Sequence, residues 1–284
     1  MDHNYFIWTE IVNCGKIGNI ALKSLQKHHK NLKVHIYGTS DDFQWIKPAD
    51  NLEFINLNET PEGQKIIKDY EQGHLGTAKL WATLINTRKE KYMLHFDSDV
   101  VFRQNILNEM LELTIEYDLI GPIRNYKHNP NNRDDVRYLP DLCQTVLFCF
   151  NREKIDKFDL GLLTSMCKGR SNPLGHPVID FFDPVMFNML KNGAKIFHLN
   201  HDDVGGCDFY GKRNNKYADI NNENTPFKID FGDKIAHFSA VGSGMNFYHN
   251  RKSIKGVPKS YIDYAIDRYA LFCDIFYNEN INGL

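Results

Sequence analysis

The stretch Tyr92-Met93-Leu94-His95-Phe96-Asp97-Ser98-Asp99-Val100-Val101-Phe102 constrains this chain more than any other. Met93, Leu94, Phe96, Val100, Val101 and Phe102 are apolar, and their β-branched and aromatic character predicts a buried strand. Side chains alternate across a strand, so Asp97 and Asp99 leave on the same side. Carboxylates that close repel each other, and burying them without a partner is costly. A cation beside them resolves the conflict, and a hard divalent ion bridging to a substrate phosphate is the simplest one. The plain alternative is two solvated acids in a turn, and the apolar flanks argue against it.

The 284 residues suffice for one large domain with a substantial core. Hydrophobic content of 42% is too high for a disordered chain. A net charge of −2 gives no sign of a nucleic-acid binder, which is usually strongly basic. No apolar run approaches the roughly 20 residues that span a bilayer, so no integral membrane segment is expected. Met1-Asp2-His3-Asn4 lacks the basic-then-apolar pattern of a secretory signal, which makes a cytoplasmic setting the expectation. The cysteines are Cys14, Cys143, Cys149, Cys167, Cys207 and Cys273, with no C-x-x-C pair. That spacing predicts buried thiols rather than a structural zinc site or a redox dithiol.

Taken in order, Tyr5 to Val12 predicts a strand, Asn13 to Gly18 a turn, and Ile17 to His29 a helix. Ile17, Ile20, Ala21, Ser24, Leu25 and His28 form one stripe of that helix. Val34 to Gly38 is the next strand, so a βαβ unit opens the chain and implies a parallel sheet. The first turn is neither G-x-G-x-x-G nor a P-loop. Asn51 to Leu57 predicts a third strand, Glu59 to Gly73 a short helix with a loop, and Leu75 to Arg88 a helix with Leu75, Leu80, Leu84 and Ile85 inward. Asn105 to Glu116 predicts an amphipathic helix, and Asp118 to Pro122 a strand stopped by Gly-Pro. Asn125 to Arg137 is expected to be a long lid or binding loop. Leu142 to Asn151 and Lys195 to Leu199 predict strands. Asp183 is expected to cap a helix with Pro184 at its first position. Gly205 to Phe227 is loop-like, Ile235 to Phe238 is a short strand, and Tyr261 to Tyr277 predicts a helix with an apolar face. A break at residue 122 is expected to separate a nucleotide-type half, 1–122, from a more irregular half, 123–284, within one continuous domain.

Asp97-Ser98-Asp99 after an apolar strand resembles the D-x-D motif of GT-A-fold glycosyltransferases. The order of elements is similar to the glycogenin-like and lipopolysaccharide galactosyltransferase-like group, family 8. That group follows a helix entered from an Asp-containing loop with a strand and a late His. Here these are Asp183-Pro184-Val185-Met186-Phe187-Asn188, Lys195 to Leu199, and Ile235-Ala236-His237-Phe238. The resemblance covers roughly residues 5–245 and is specific at Asp97, Asp99 and His237. It implies an α/β GT-A fold with a mostly parallel central sheet flanked by helices. It also implies a metal-dependent hexosyltransferase. Asp97, Asp99 and His237 would hold Mn2+ or Mg2+ on the diphosphate of a nucleotide sugar, with a UDP-sugar as the expected donor. Two carboxylates and an imidazole suit Mn2+ on chemical grounds as well. The implied partners are the nucleotide-sugar donor and a glycan or other acceptor, with a second copy of the chain left open. The group's late motif continues with Gly and Lys-Pro-Trp, whereas here Phe238 to Asn246 follows. Backbone N–H groups near Gly242 and Gly244, or Lys252 or Lys255, are the candidates to replace its cation.

The remaining candidates each have a plain alternative. Asp183 and Asp180 flank Phe181-Phe182 and could act on the acceptor proton or under the sugar; a helix cap and a solvated loop acid are the alternatives. Lys79 lies where a cation would approach sugar or phosphate, or it is a solvated lysine. Asn13 follows the first strand, where parallel sheets place ligands, and could touch the base or ribose alongside backbone groups of Val12; it could also be a turn former. Ser98, between the two acids, belongs with these donor-binding candidates. His198-x-x-His201-Asp202-Asp203 has metal-like composition without a standard spacing. His95 reads as a hydrogen-bonded core histidine, and Trp8, Trp45 and Trp81 as core. Two other functions compete. In a haloacid-dehalogenase-like phosphatase, D-x-D-x-[TV] would make Asp97 the nucleophile and Asp99 the general acid, although the motif strand then normally comes first. A non-catalytic sugar-nucleotide-binding protein would use the same fold without turnover.

Overall fold

The computed structural model describes residues 4–70, 75–127, 136–155, 182–199, 228–231, 234–238, 266 and 269. Strands β1 (Tyr5–Ile11), β2 (Val34–Gly38), β3 (Leu52–Asn56) and β4 (Tyr92–Phe96) alternate with helices α1 (Gly15–His28), α2 (Ser40–Phe43), α3 (Pro61–Tyr70) and α4 (Leu75–Thr87). After β5 (Val100–Phe102) come α5 (Ile106–Leu113), β6 (Leu119–Lys127), β7 (Val136–Cys143), β8 (Leu147–Asn151), α6 (Asp183–Lys191), β9 (Ile196–Leu199), β10 (Lys228–Phe231) and β11 (Ile235–Phe238). The large sheet runs β3-β2-β1-β4-β8-β6-β7, with β9 also paired to β6. Strands β3, β2, β1 and β4 are mutually parallel, β8 is antiparallel to β4 and β6, and β9 is parallel to β6. Strands β10, β11 and β5 form a small second sheet.

The strand sequences explain why both faces of the large sheet are covered. Along β1, Ile7 and Ile11 face one core while Phe6 and Trp8 face the other. Along β8, Leu147 and Cys149 face the first and Phe148 and Phe150 the second. A strand apolar at both parities must be buried on both sides. Ile17, Ile20 and Leu25 of α1 and Ile106, Leu107 and Met110 of α5 close the first core. Ile66 of α3, Leu80, Trp81 and Leu84 of α4, and Val185, Met186 and Met189 of α6 close the second. The result is the three-layer α/β arrangement expected from the sequence.

Several boundaries differ from expectation. The strand from Tyr92 does not continue to Phe102: it ends at Phe96, turns through Asp97-Ser98-Asp99, and resumes as β5 in the other sheet. Gly121-Pro122 does not stop β6, which runs on to Lys127. Proline lacks only the N–H; the Pro122 carbonyl still accepts from Gln144 N–H at 2.7 Å, and the irregularity is absorbed at Ile123/Arg124. Residues 125–127 and 136–137 therefore belong to a hairpin, not a loop. The predicted strand from Leu142 is two strands separated by a turn at Gln144 to Val146. The N-cap of α6 is Phe182, which makes Asp183 the first helical residue and Pro184 the second. Trp45 is 46% exposed rather than core, with Lys16 Nζ 4.6 Å from its ring centre. The expectations for residues 205–227 lie outside the described residues, and of the predicted helix 261–277 only Ile266 and Tyr269 are described, both helical. No described helix is long and apolar enough to cross a membrane.

Candidate metal and donor-binding site

The carboxyl ends of β1, β2 and β4 lie on one edge of the sheet because these strands are parallel. From β1 the chain builds outward through β2 and β3, then returns to place β4 on the other side of β1. That reversal opens a crevice between the carboxyl ends of β1 and β4, the place where open α/β sheets bind ligands. The Asn13-Cys14 turn forms one wall and the Asp97-Ser98-Asp99 turn the other. Cys14 Sγ donates to Ser98 Oγ across the gap at 3.4 Å.

The acidic turn is pinned by its backbone. Asp97 N–H donates to the Val146 carbonyl at 2.8 Å, and Phe238 N–H donates to the Asp99 carbonyl at 3.0 Å. The second bond extends the antiparallel pairing of β11 with β5, in which His237 lies opposite Val100. His237 Nε2 consequently sits 3.2 Å from Asp99 Oδ1 and 3.7 Å from Asp97 Oδ2. One ligand atom from each of Asp97, Asp99 and His237 falls within 4.8 Å of the others. Asp99 and His237 are nearly buried, while Asp97 keeps 37% of its side chain exposed. Two hard carboxylate oxygens and one imidazole nitrogen converging on a common point fit Mn2+ or Mg2+. The two acids meet through a turn and not through strand alternation, which was the reason the sequence suggested.

Asn13 is the only non-glycine residue with positive φ among the described residues, at 59°. Asparagine tolerates that left-handed backbone better than most residues, so it forms the turn that starts α1. Val12, before it, is partly buried against the second core. The N-terminus of α1 is already occupied by Asp42. Its carboxylate accepts N–H groups from Asn13 (3.1 Å), Cys14 (2.9 Å) and Gly15 (3.0 Å), and the Thr39 hydroxyl at 2.6 Å. A phosphate cannot use those donors as it would at an open helix N-terminus. Sequence reading missed Asp42, although Thr39-x-x-Asp42 carried a capping signal.

Glu10 was also missed. Its side chain is only 10% exposed, and its Oε1 accepts the indole N–H of Trp8 at 3.3 Å and that of Trp81. Burial, followed by the neighbouring Asp97 charge, pushes the Glu10 carboxyl up to about 8. The signal was present in the strand: Phe6, Trp8 and Glu10 share a face by alternation, so an acid occupies a position whose neighbours are core. His95 lies in the same aromatic cluster, 4.4 Å from the Trp81 ring and 5.1 Å from that of Trp8.

The other expected residues are spread around this centre. Lys79 is paired with Asp69 of α3. Asp183 is buried at the start of α6, next to Phe182, whose ring packs on Trp81 at 5.1 Å. It is not part of the metal-like cluster found among the described residues. His198 is buried with Nδ1 3.9 Å from Cys143 Sγ. Cys14, Cys143 and Cys149 are buried thiols. Asp180, His201, Asp202, Asp203, Gly242, Gly244, Lys252 and Lys255 lie outside the described residues.

No family model matches this chain, and neither does any curated protein. Solved structures do match. Mouse xyloside xylosyltransferase 1 is 11% identical over 69% of this chain and 84% of that one, with a TM-score of 0.43. The galactosyltransferase LgtC, in complex with donor and acceptor sugar analogues, is 12% identical over 90% of this chain and 98% of that one, with a TM-score of 0.42. The 4-diphosphocytidyl-2C-methyl-D-erythritol synthase of Anaerococcus prevotii is 11% identical over 71% of this chain and 90% of that one, with a TM-score of 0.37.

Proposed function

We propose that this chain is a metal-dependent glycosyltransferase of the hexosyltransferase type. It moves a sugar from a nucleotide-diphosphate sugar, with a UDP-sugar as the proposed donor, to a glycan or other acceptor in the cytoplasm. The observation that carries this reading is the convergence of Asp97, Asp99 and His237 at the β1/β4 crevice. A divalent cation held there would neutralise the charge that builds on a departing diphosphate. The occupied N-terminus of α1 supports the same assignment, since Asp42 takes the backbone donors that would otherwise hold phosphate.

In this reading Asp97 and Asp99 supply carboxylate ligands and His237 the nitrogen ligand. Ser98 keeps the acidic turn against Cys14, while Val12 and Asn13 line the wall on which base and ribose rest. Asp183, and Asp180 beyond it, are the proposed groups on the acceptor side, and Lys79 the proposed cation near the sugar. The resident ion is proposed to be Mn2+, with Mg2+ as the substitute. The test is a panel of nucleotide sugars assayed for Mn2+-dependent transfer and slow hydrolysis, with nucleotide binding followed by calorimetry. Wild-type chain should bind UDP only with Mn2+ present, and Asp99→Asn should abolish both binding and turnover. Hydrolysis of an aryl phosphate, blocked by beryllofluoride and without sugar transfer, would instead identify a phosphatase with Asp97 as nucleophile. Nucleotide binding without transfer or hydrolysis would identify a non-catalytic sugar-nucleotide-binding protein.

A further inference from the structure

Two large apolar side chains stand well exposed among the described residues, Ile115 and Trp45. A single exposed side chain is ordinary; the way Trp45 is mounted is not. It follows α2, which leaves the carboxyl end of β2 on the ligand-binding edge of the sheet. Asp42 ties α2 to the head of α1 by accepting from the N–H groups of Asn13, Cys14 and Gly15, and the Trp45 N–H donates to the Asp42 carbonyl at 3.1 Å. The indole lies directly against Gly15. A Cβ there would come within 2.9 Å of Trp45 Cδ1 and 2.5 Å of the Asp42 carbonyl oxygen, so only glycine lets the ring and the turn close up. Lys16 Nζ, 4.6 Å from the ring centre, adds a cation–π contact that steadies the indole. The residue before Gly15 is Cys14, which reaches across the crevice to Ser98 at 3.4 Å. The indole and the acidic turn therefore touch adjacent residues of the same short wall.

We propose that Trp45 is the platform on which the donor's nucleobase stacks, while Asp97, Asp99 and His237 hold the diphosphate through the metal. This rests on the donor-binding reading given above and extends it to a residue outside the metal cluster. An indole has only two side-chain torsions to order on binding, and Gly15 and Lys16 already restrict them. Lys16 lies over one face of the ring, and the base takes the other. Every base presents a π face, so this contact supplies affinity without choosing the base.

The test compares UDP with inorganic pyrophosphate, each titrated with Mn2+ into the full chain and followed by calorimetry. Trp45→Ala should bind UDP roughly tenfold more weakly than wild type, as loss of one base–aromatic stack predicts. It should bind pyrophosphate as wild type does, because that probe carries no base. Trp45→Phe keeps a flat ring and should hold UDP within about threefold of wild type. A second readout uses fluorescence in wild type, with Mg2+ in place of Mn2+ to avoid paramagnetic quenching. Trp8 and Trp81 are buried, so acrylamide should quench chiefly Trp45. UDP should protect that signal and pyrophosphate should not. This measurement decides the matter if Trp45→Ala does not fold. Wild-type UDP affinity in Trp45→Ala, equal loss of UDP and pyrophosphate, or a Phe variant as weak as Ala overturns the stacking role and leaves the donor reading standing. Failure of the wild-type chain to bind UDP with Mn2+ overturns the donor reading and this inference with it.

Discussion

Replacing Glu10 by Gln should make the protein more stable in alkaline solution, and the structure sets the size of the effect. The Glu10 carboxyl is raised from an ordinary 4.5 to about 8, first by burial and then by the charge on Asp97. A raised acid favours the protonated form in the folded state. Its contribution is therefore complete below about pH 4.5, declines as pH rises toward 8, and is level above that. At about 1.4 kcal/mol per tenfold, the gap between the two values costs the folded chain about 5 kcal/mol once Glu10 is ionised in both states. Most of this, about 4 kcal/mol, accrues between pH 5 and pH 9. Glutamine accepts from the same indoles and never ionises. Urea unfolding of both proteins at pH 5, 7 and 9 should show the wild-type midpoint falling relative to that of Glu10→Gln, the difference widening with pH. Indole fluorescence should show an inflection near pH 8 in wild type alone, since Trp8 and Trp81 donate directly to this acid. Parallel stability curves with no fluorescence inflection would mean that the carboxyl is solvated and that its place in the aromatic cluster has been misjudged.

Three further outcomes are expected. Mn2+ at 100 times its dissociation constant should stabilise wild type by about 2.7 kcal/mol and leave His237→Ala unmoved, as read by thermal unfolding. Asp42→Ala should cost about 3 kcal/mol in urea unfolding, because it strands the N–H groups of Asn13, Cys14 and Gly15 and the Thr39 hydroxyl at the head of α1; a loss below about 1 kcal/mol would show that water replaces the carboxylate. Asn13→Gly should keep stability within about 0.5 kcal/mol while Asn13→Ala loses about 1 kcal/mol, since only alanine is strained at a φ of 59°; if Asn13 also touches the nucleotide, as proposed, the Gly variant should bind UDP more weakly in calorimetry, and unchanged affinity would leave it a turn former.

Much of the nucleotide-binding half could be read from local pattern. β1, α1, β2 and β3 lie within a residue or two of where periodicity placed them, because each is a short element with its own turn signals. The errors share one cause. The apolar runs from Tyr92 and from Leu142 each look continuous in sequence, because nothing in an apolar run marks where the chain changes sheet or direction. Their breaks at Asp97 and Gln144 are imposed by pairing with distant strands. β6 likewise crosses Pro122 because pairing with β7 and β9 supports its backbone on both sides. Trp45 lies at the surface although its type predicts core, because an aromatic residue carries no local mark of the surface it ends on.

The site shows the same division more sharply. The acidic pair was visible because adjacent like charges in an apolar setting demand a reason. The third member was visible only as a resemblance, because its position depends on a pairing between residues far apart in the chain. The register Val100 opposite His237 decides that position. A slip of one residue would turn His237 to the opposite face of β11 and point Ala236 or Phe238 at the acids. Both of those residues are buried in the first core, so the slip would also expose apolar surface. Core packing by Ala236 and Phe238 therefore fixes the register, and the register delivers the imidazole to Asp99 at 3.2 Å. Phe238→Ala should consequently weaken Mn2+ binding as well as stability, by roughly 3 kcal/mol for the latter. Unaltered Mn2+ affinity in a destabilised Phe238→Ala chain would show that the imidazole reaches the acids without help from that packing.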